Sequence, residues 1–158
     1  MFDANLGETA TAVGYVHIMK HDAEGNLVED RWFKNQLTNY ARNAAAQMWC
    51  GTSLPTPNSI QVGSGSPTAP ITGVQQTDTA LWSPMAGTLK VVDFATVWLG
   101  YNSQYSATYQ QSDALGTWTE LGLFDANGNL WSHVQLNNLT KDSSSTITVQ
   151  WQIQHIGN

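Results

Sequence analysis

Over residues 146 to 156 apolar and polar side chains alternate: Ile147, Val149, Trp151, Ile153 and His155 fall on one side, Thr148, Gln150, Gln152 and Gln154 on the other. Successive side chains of an extended backbone point to opposite faces, so this period of two predicts a strand with one face against a core. Weaker versions of the pattern run from Tyr15, with Val16 and Ile18 on one face, and return as a hairpin through Leu27, Val28, Trp32 and Phe33. Others lie around Ile60 and Val62 and over residues 88–99, 104–110, 117–124 and 130–136. The period changes only in LTNYARNAAAQMWCG, where Leu37, Tyr40, Ala41, Ala44 and Met48 recur at helical spacing. A helix is predicted over about 38–50, capped by Thr38 or Asn39 and ended by Gly51 in the left-handed conformation. Its run of alanines suits close approach to a sheet, with Met48 and Trp49 expected to anchor it. About seven or eight short strands and one helix predict a mainly β chain, an antiparallel β-sandwich or jelly-roll-like barrel.

Turn chemistry divides these segments. The stretch Asp125-Ala126-Asn127-Gly128-Asn129 and its near-copy Asp22-Ala23-Glu24-Gly25-Asn26 resemble calcium loops at first sight. An EF-hand loop needs Gly at its sixth position and a bidentate Glu at its twelfth. Counted from Asp125 these positions hold Leu130 and Leu136, and the twelfth from Asp22 is Phe33. Both are better hairpin turns, with Gly128 supplying positive φ. Residues 51–79 are rich in Gly, Pro, Ser and Thr, but Gly63-Ser64-Gly65 is followed by neither a third spaced glycine nor a Lys-Ser/Thr pair, so it is no phosphate loop. Residues 66–80 form a long connection, of the kind that binds something or covers a neighbour. At the other end residues 1–13 have no period and read as an extended N-terminal arm, whose sizeable apolar side chains are Phe2, Leu6 and Val13. A single β-domain is expected over 14–158.

Charged residues make up 11% of the 158-residue chain, and its net charge is -6. The six Lys and Arg form no basic stripe, which argues against nucleic acid as a partner. No apolar run reaches the roughly 18 residues of a membrane span. With Cys50 as the lone cysteine an intrachain disulfide is impossible, and the opening residues lack a basic and apolar leader, so assembly in a reducing cytosol is expected. Most of the seven tryptophans are expected in the core.

Candidate chemistry is sparse. The histidines are His17, His21, His133 and His155; His17 and His21 lack the intervening Glu of a zinc protease motif, and all four are expected at the surface. Glu120 sits among Trp118, Leu121, Leu123 and Phe124, where a buried carboxylate could be a general acid or could accept backbone N–H groups and pin a strand end. No second carboxylate lies near it in sequence, so the structural role is expected, and likewise for Asp93. No catalytic residue, metal ligand or cofactor is assigned.

Several short motifs follow one another in order: Asn35-Gln36-Leu37-Thr38, Ile60-Gln61-Val62-Gly63-Ser64-Gly65, Asp78-Thr79-Ala80-Leu81, Glu120-Leu121-Gly122-Leu123-Phe124 and Val149-Gln150-Trp151-Gln152-Ile153. The series resembles structural β-domains of tailed-bacteriophage virion proteins, found in capsid decoration (cement) proteins and in tail-fibre or baseplate proteins. The resemblance implies assembly without catalysis or cofactor, in a virion put together in the host cytoplasm. The expected protein is a homotrimeric decoration protein that bridges and stabilises head subunits, with the major capsid protein or neighbouring virion subunits as partners. Phe2, Leu6 and Val13 would carry the arm's contacts, and Glu120, Gly122, Phe124 and Gly128 would form a structural hairpin. The alternative is a tail-fibre or baseplate module binding a receptor or glycan on Trp98, Tyr101, Tyr105 and Tyr109.

Overall fold

The computed structural model describes residues 11–156. Chain order is β1 (Thr11–His21), β2 (Leu27–Leu37), α1 (Asn39–Trp49), β3 (Pro57–Gly63), β4 (Lys90–Val91), β5 (Phe94–Leu99), β6 (Asn102–Tyr109), β7 (Gly116–Asp125), β8 (Leu130–Lys141) and β9 (Thr146–Ile156). The strands form one antiparallel sheet in the order β4-β3-β7-β8-β2-β1-β9-β6-β5. Strand β2 turns the corner of that sheet: Leu27 and Glu29 to Asn35 pair with β1, whereas Gln36 and Leu37 pair with His133 and Ser132 of β8. The terminal strands β4 and β5 are consecutive in the chain, separated by Val92 and Asp93 alone. The sheet therefore curls until its ends approach, nearly closed and barrel-like. Across the gap the Tyr109 hydroxyl of β6 lies 2.9 Å from the Ile60 carbonyl of β3 and 3.1 Å from that of Thr88.

The enclosed core holds Val16, Ile18, Ile60, Val62, Trp118, Leu121, Leu123, Val134, Ile147, Val149 and Trp151, each fully buried. At about 1.5–3 kcal/mol per large apolar side chain, this interior is the main source of cohesion. The final strand buries Ile147, Val149, Trp151 and Ile153 as its alternation predicts, while His155 is exposed. Asn35 brings a polar side chain into the core. With its amide oriented to satisfy its neighbours, Asn35 donates to Ser132 Oγ (2.9 Å) and accepts from the Trp151 indole N–H (2.7 Å) and the Tyr15 N–H (3.2 Å). Gly14 leaves room for that amide, with which any Cβ there would collide.

Helix α1 starts at Thr38, whose Oγ1 accepts from the Ala41 N–H (3.2 Å) and donates to the Leu130 carbonyl (2.6 Å), tying the cap to β8. Cys50 is the C-cap and Gly51 follows at φ +88°. Ala41 and Ala44 are buried against Trp131, with Met48 and Tyr40 packed around them. Trp49, expected to anchor the helix, is 93% exposed instead, because it lies about 100° around the helix from Met48. No described helix is long and apolar enough to cross a membrane.

Three further expectations change. Residues 88–99 are not one strand: at Asp93 the chain leaves β3 for β6, and the Asp93 carboxylate accepts from the Thr108 N–H at 2.7 Å. Thr11 to Val13, expected in an extended arm, belong instead to β1, where Val13 pairs with Gln154. Phe2 and Leu6 lie outside the described residues. Tryptophans divide: Trp118, Trp131 and Trp151 are buried, while Trp32 and Trp49 are exposed.

Candidate functional site

Leu121 of β7 faces the core, so its neighbour Glu120 points to the outer side of the sheet, beneath the long connection from β3 to β4. There its carboxylate is fully buried. Oε1 accepts from the N–H groups of Ser83 (2.7 Å) and Gly65 (3.2 Å), and Oε2 from that of Trp82 (2.9 Å). Oε2 is also 2.8 Å from Nε2 of His133, which is itself fully buried opposite Gly122 in the β7–β8 ladder. The other ring nitrogen, Nδ1, is 2.7 Å from Asp78 Oδ2, an oxygen that accepts from the Gln75 N–H as well. Trp82 covers the imidazole at a centroid distance of 4.7 Å. Burial by itself would raise the Glu120 pKa, but the bonds from His133, Ser83 and Trp82 outweigh it and hold the carboxyl below its ordinary range.

The Gly-Ser-Gly stretch serves this carboxylate. A Cβ on Gly65 would lie 2.8 Å from Glu120 Oε1 and 2.6 Å from the Ser83 nitrogen, and one on Gly63 would collide with the same carboxylate. Thr119 Oγ1 donates to the Gly65 carbonyl at 2.5 Å, fastening the loop a second time. Both oxygens of Glu120 and both nitrogens of His133 are thus taken by the protein. The cluster binds residues 64–83 to the sheet, which is the N–H-accepting role expected of Glu120. One expectation fails here: His133 is no surface histidine but is fully buried, and through its ring Glu120 is linked to Asp78, a carboxylate distant in sequence. Asp78 was missed because its loop is distant in sequence from β7, whereas His133 lies on the very next strand. The available signal for His133 was the β7–β8 register, which sets it opposite Gly122, two residues along β7 from Glu120 and on the same face.

The rest of the hairpin is organised around packing and a turn. At Gly122 a Cβ would lie 2.6 Å from Phe124 and 2.9 Å from Leu130 and Leu81, so the glycine admits the small cluster those three form. Gly128 has φ +78°, the conformation its turn was expected to need. Asp125 Oδ1 accepts from the N–H groups of Asn127 (2.9 Å) and Asn129 (3.0 Å), and Oδ2 from the Trp131 indole (3.0 Å) and the Tyr40 hydroxyl (3.2 Å). Burial works against the charge, yet these donors depress its pKa. Asp22 accepts from Glu24 and Asn26 in the same way, so the two calcium-like stretches are one turn used twice. Among the described residues no group of three or more His, Cys, Asp or Glu is placed to hold a metal ion.

Among the described residues no helix or long loop covers the other half of the sheet. Strands β6, β9, β1 and β2 present cross-strand rows Gln104-Gln152-Tyr15-Lys34, Ser106-Gln150-His17-Trp32 and Thr108-Thr148-Met19-Asp30. Amides and hydroxyls pair within it: Gln152 donates to Gln104 at 3.3 Å, and Thr108 lies 3.2 Å from Thr148. Asp30 is engaged by His17 at 2.6 Å, and among the described residues Lys34 has no ion-pair partner. Trp32, 56% exposed, stacks on His17 at 4.0 Å with an interplanar angle of 7°. The aromatic platform expected elsewhere does not form: Tyr105 and Tyr109 are buried, only Tyr101 is exposed, and the Trp98 side chain lies outside the described residues. Comparison with protein-family models, with curated proteins and with solved structures finds no match to this chain in any of the three.

Proposed function

We propose that the chain is a non-enzymatic structural protein of a tailed-bacteriophage particle, and within that class a capsid decoration protein that bridges head subunits as a homotrimer. The observation that carries this reading is the face of β6, β9, β1 and β2 that no described helix or long loop covers, added to the ordered motif series described above. Amides, hydroxyls and aromatic rings can be buried against a neighbouring subunit with less desolvation cost than Lys or Glu, and their contacts are little screened by salt. The buried polar cluster beneath the long loop supports an architectural role as well, since Asp78, His133 and Glu120 spend their donors and acceptors on the chain itself. Imaging particles that carry a label on this chain tests the reading. Hundreds of copies over the head are expected; a few copies confined to the tail would overturn the decoration role.

A second reading, a tail module that binds a neutral glycan, is favoured by one feature of the same face. Trp32 with Gln150 and Gln152 offers an indole and amides, which suit the C–H faces and hydroxyls of a sugar. Tail-confined label together with loss of glycan binding in Trp32→Ala would move this reading to first place.

A further inference from the structure

On the opposite half of the sheet the described residues leave a depression of about 390 Å³ on the outer face, beside the edge strand β4. Leu89 and Val91 form its outer wall and are 59% and 68% exposed, while Phe124 and Ala126 form its inner wall. Ser59, paired with both Val91 and Phe124, lies on the floor. Asn58 sits in the bulge between Pro57 and Ser59 and lines the depression too; among the described residues its buried side-chain oxygen has no hydrogen-bond partner. Strand β4 is two residues long and pairs only with β3, so its far edge is unpaired among the described residues. An exposed apolar edge beside such a depression is a template for an added extended segment, whose backbone would pair with the edge and whose alternate side chains would fill the depression.

We propose that the occupant is residues 1–10 of a neighbouring copy, MFDANLGETA. Phe2, Ala4 and Leu6 fall on one face of an extended chain, with Asp3 and Asn5 on the other, so the segment has an apolar side of the right period. Phe2 and Leu6 are then about 13 Å apart, and ten extended residues reach about 33 Å beyond Thr11, enough to cross to an adjacent protomer. Seating each arm on the next copy is a head-to-tail contact, which closes into a ring when the rotation allows. The inference rests on the reading of residues 1–10 as a bridging arm.

Free full-length protein, without particles, provides the test, so that its failure is distinct from a failure to find the chain on the head. Sedimentation over a wide concentration range should show self-association. Phe2→Ser with Leu6→Ser in one chain, or Val91→Glu in another, should weaken it about tenfold or more with melting unchanged, as expected for withdrawing apolar anchors. Leu89→Glu serves as a second groove variant should Val91→Glu alter the fold. Mixing the arm variant with the groove variant should yield a heterodimer and nothing larger, because one contributes an intact groove and the other an intact arm. A wild-type chain that stays monomeric, variants that associate like wild type, or a mixture that remains dissociated would each overturn the proposal.

Discussion

A carboxylate taken out of water is tolerated only when hydrogen bonds replace its hydration, and Glu120 has three backbone N–H groups and an imidazole to do so. Glu120→Gln keeps the size but puts an amide N–H₂ where one oxygen accepted, so stability should fall by about 1–3 kcal/mol, read as a lower denaturation midpoint. The acid behaviour follows from the depressed carboxyl. Its folded pKa lies below the ordinary 4.5, so its contribution is complete above that pH and is lost as pH falls through the folded value. Asp125, depressed below 3.8, acts in the same sense. Wild-type stability should therefore decline below about pH 4.5 more steeply than that of Glu120→Gln; equal acid profiles would show that the carboxylate carries none of it. Glu120 was legible in the sequence as one charge within an apolar run. Asp78 and His133 were not, since a partner that arrives from another strand or loop leaves no local pattern. Lys141 was equally hidden. It is almost fully buried, with Nζ donating to the carbonyls of Ser145 (2.9 Å) and Gln111 (3.2 Å), and burial lowers its pKa.

Helix α1 shows how far a single element can be read. Its period, its Thr38 cap and its Gly51 terminus were all written locally, and local writing is reliable where propensity and capping agree. Which residue touches the sheet depended on a rotation of about 100°, and that decided between Met48 and Trp49. The two ends of the helix face should respond accordingly. Ala44→Leu forces a larger side chain against Trp131 and should cost about 1–3 kcal/mol, whereas Trp49→Ser should change stability by less than about 0.5 kcal/mol. Chemical denaturation of both variants checks the pair, and a larger loss for Trp49→Ser would mean that the helix docks by its other face. The break at Asp93 is the contrary case. TLKVVDFATVWL keeps a strand-like pattern throughout, and the change of partner from β3 to β6 arises only because the sheet's two ends meet there.

At the scale of the whole molecule the sheet is uneven in how well its strands are protected. Strand β9 is paired along both sides, with β1 and β6, and its inward residues are buried, whereas β4 has two residues and one neighbour. Amide hydrogen exchange should therefore be slowest over Ile147–Ile153 and fast in β4, and rapid exchange in β9 would contradict this sheet order. The antiparallel β class and most strands were legible from alternation and turns. The near-closure was not, because closure depends on curvature and on which ends meet. Closure of this kind also sets an order in time. Hairpins such as β1–β2 and β7–β8 close across short turns and can form within microseconds. The ladder from Thr11–Ile156 to His21–Thr146 instead joins the first described strand to the last, a loop as long as the domain. One side of β1 must therefore wait, unpaired, until β9 has been synthesised, and the sheet can be completed only on a chain that has been made through to its final strand.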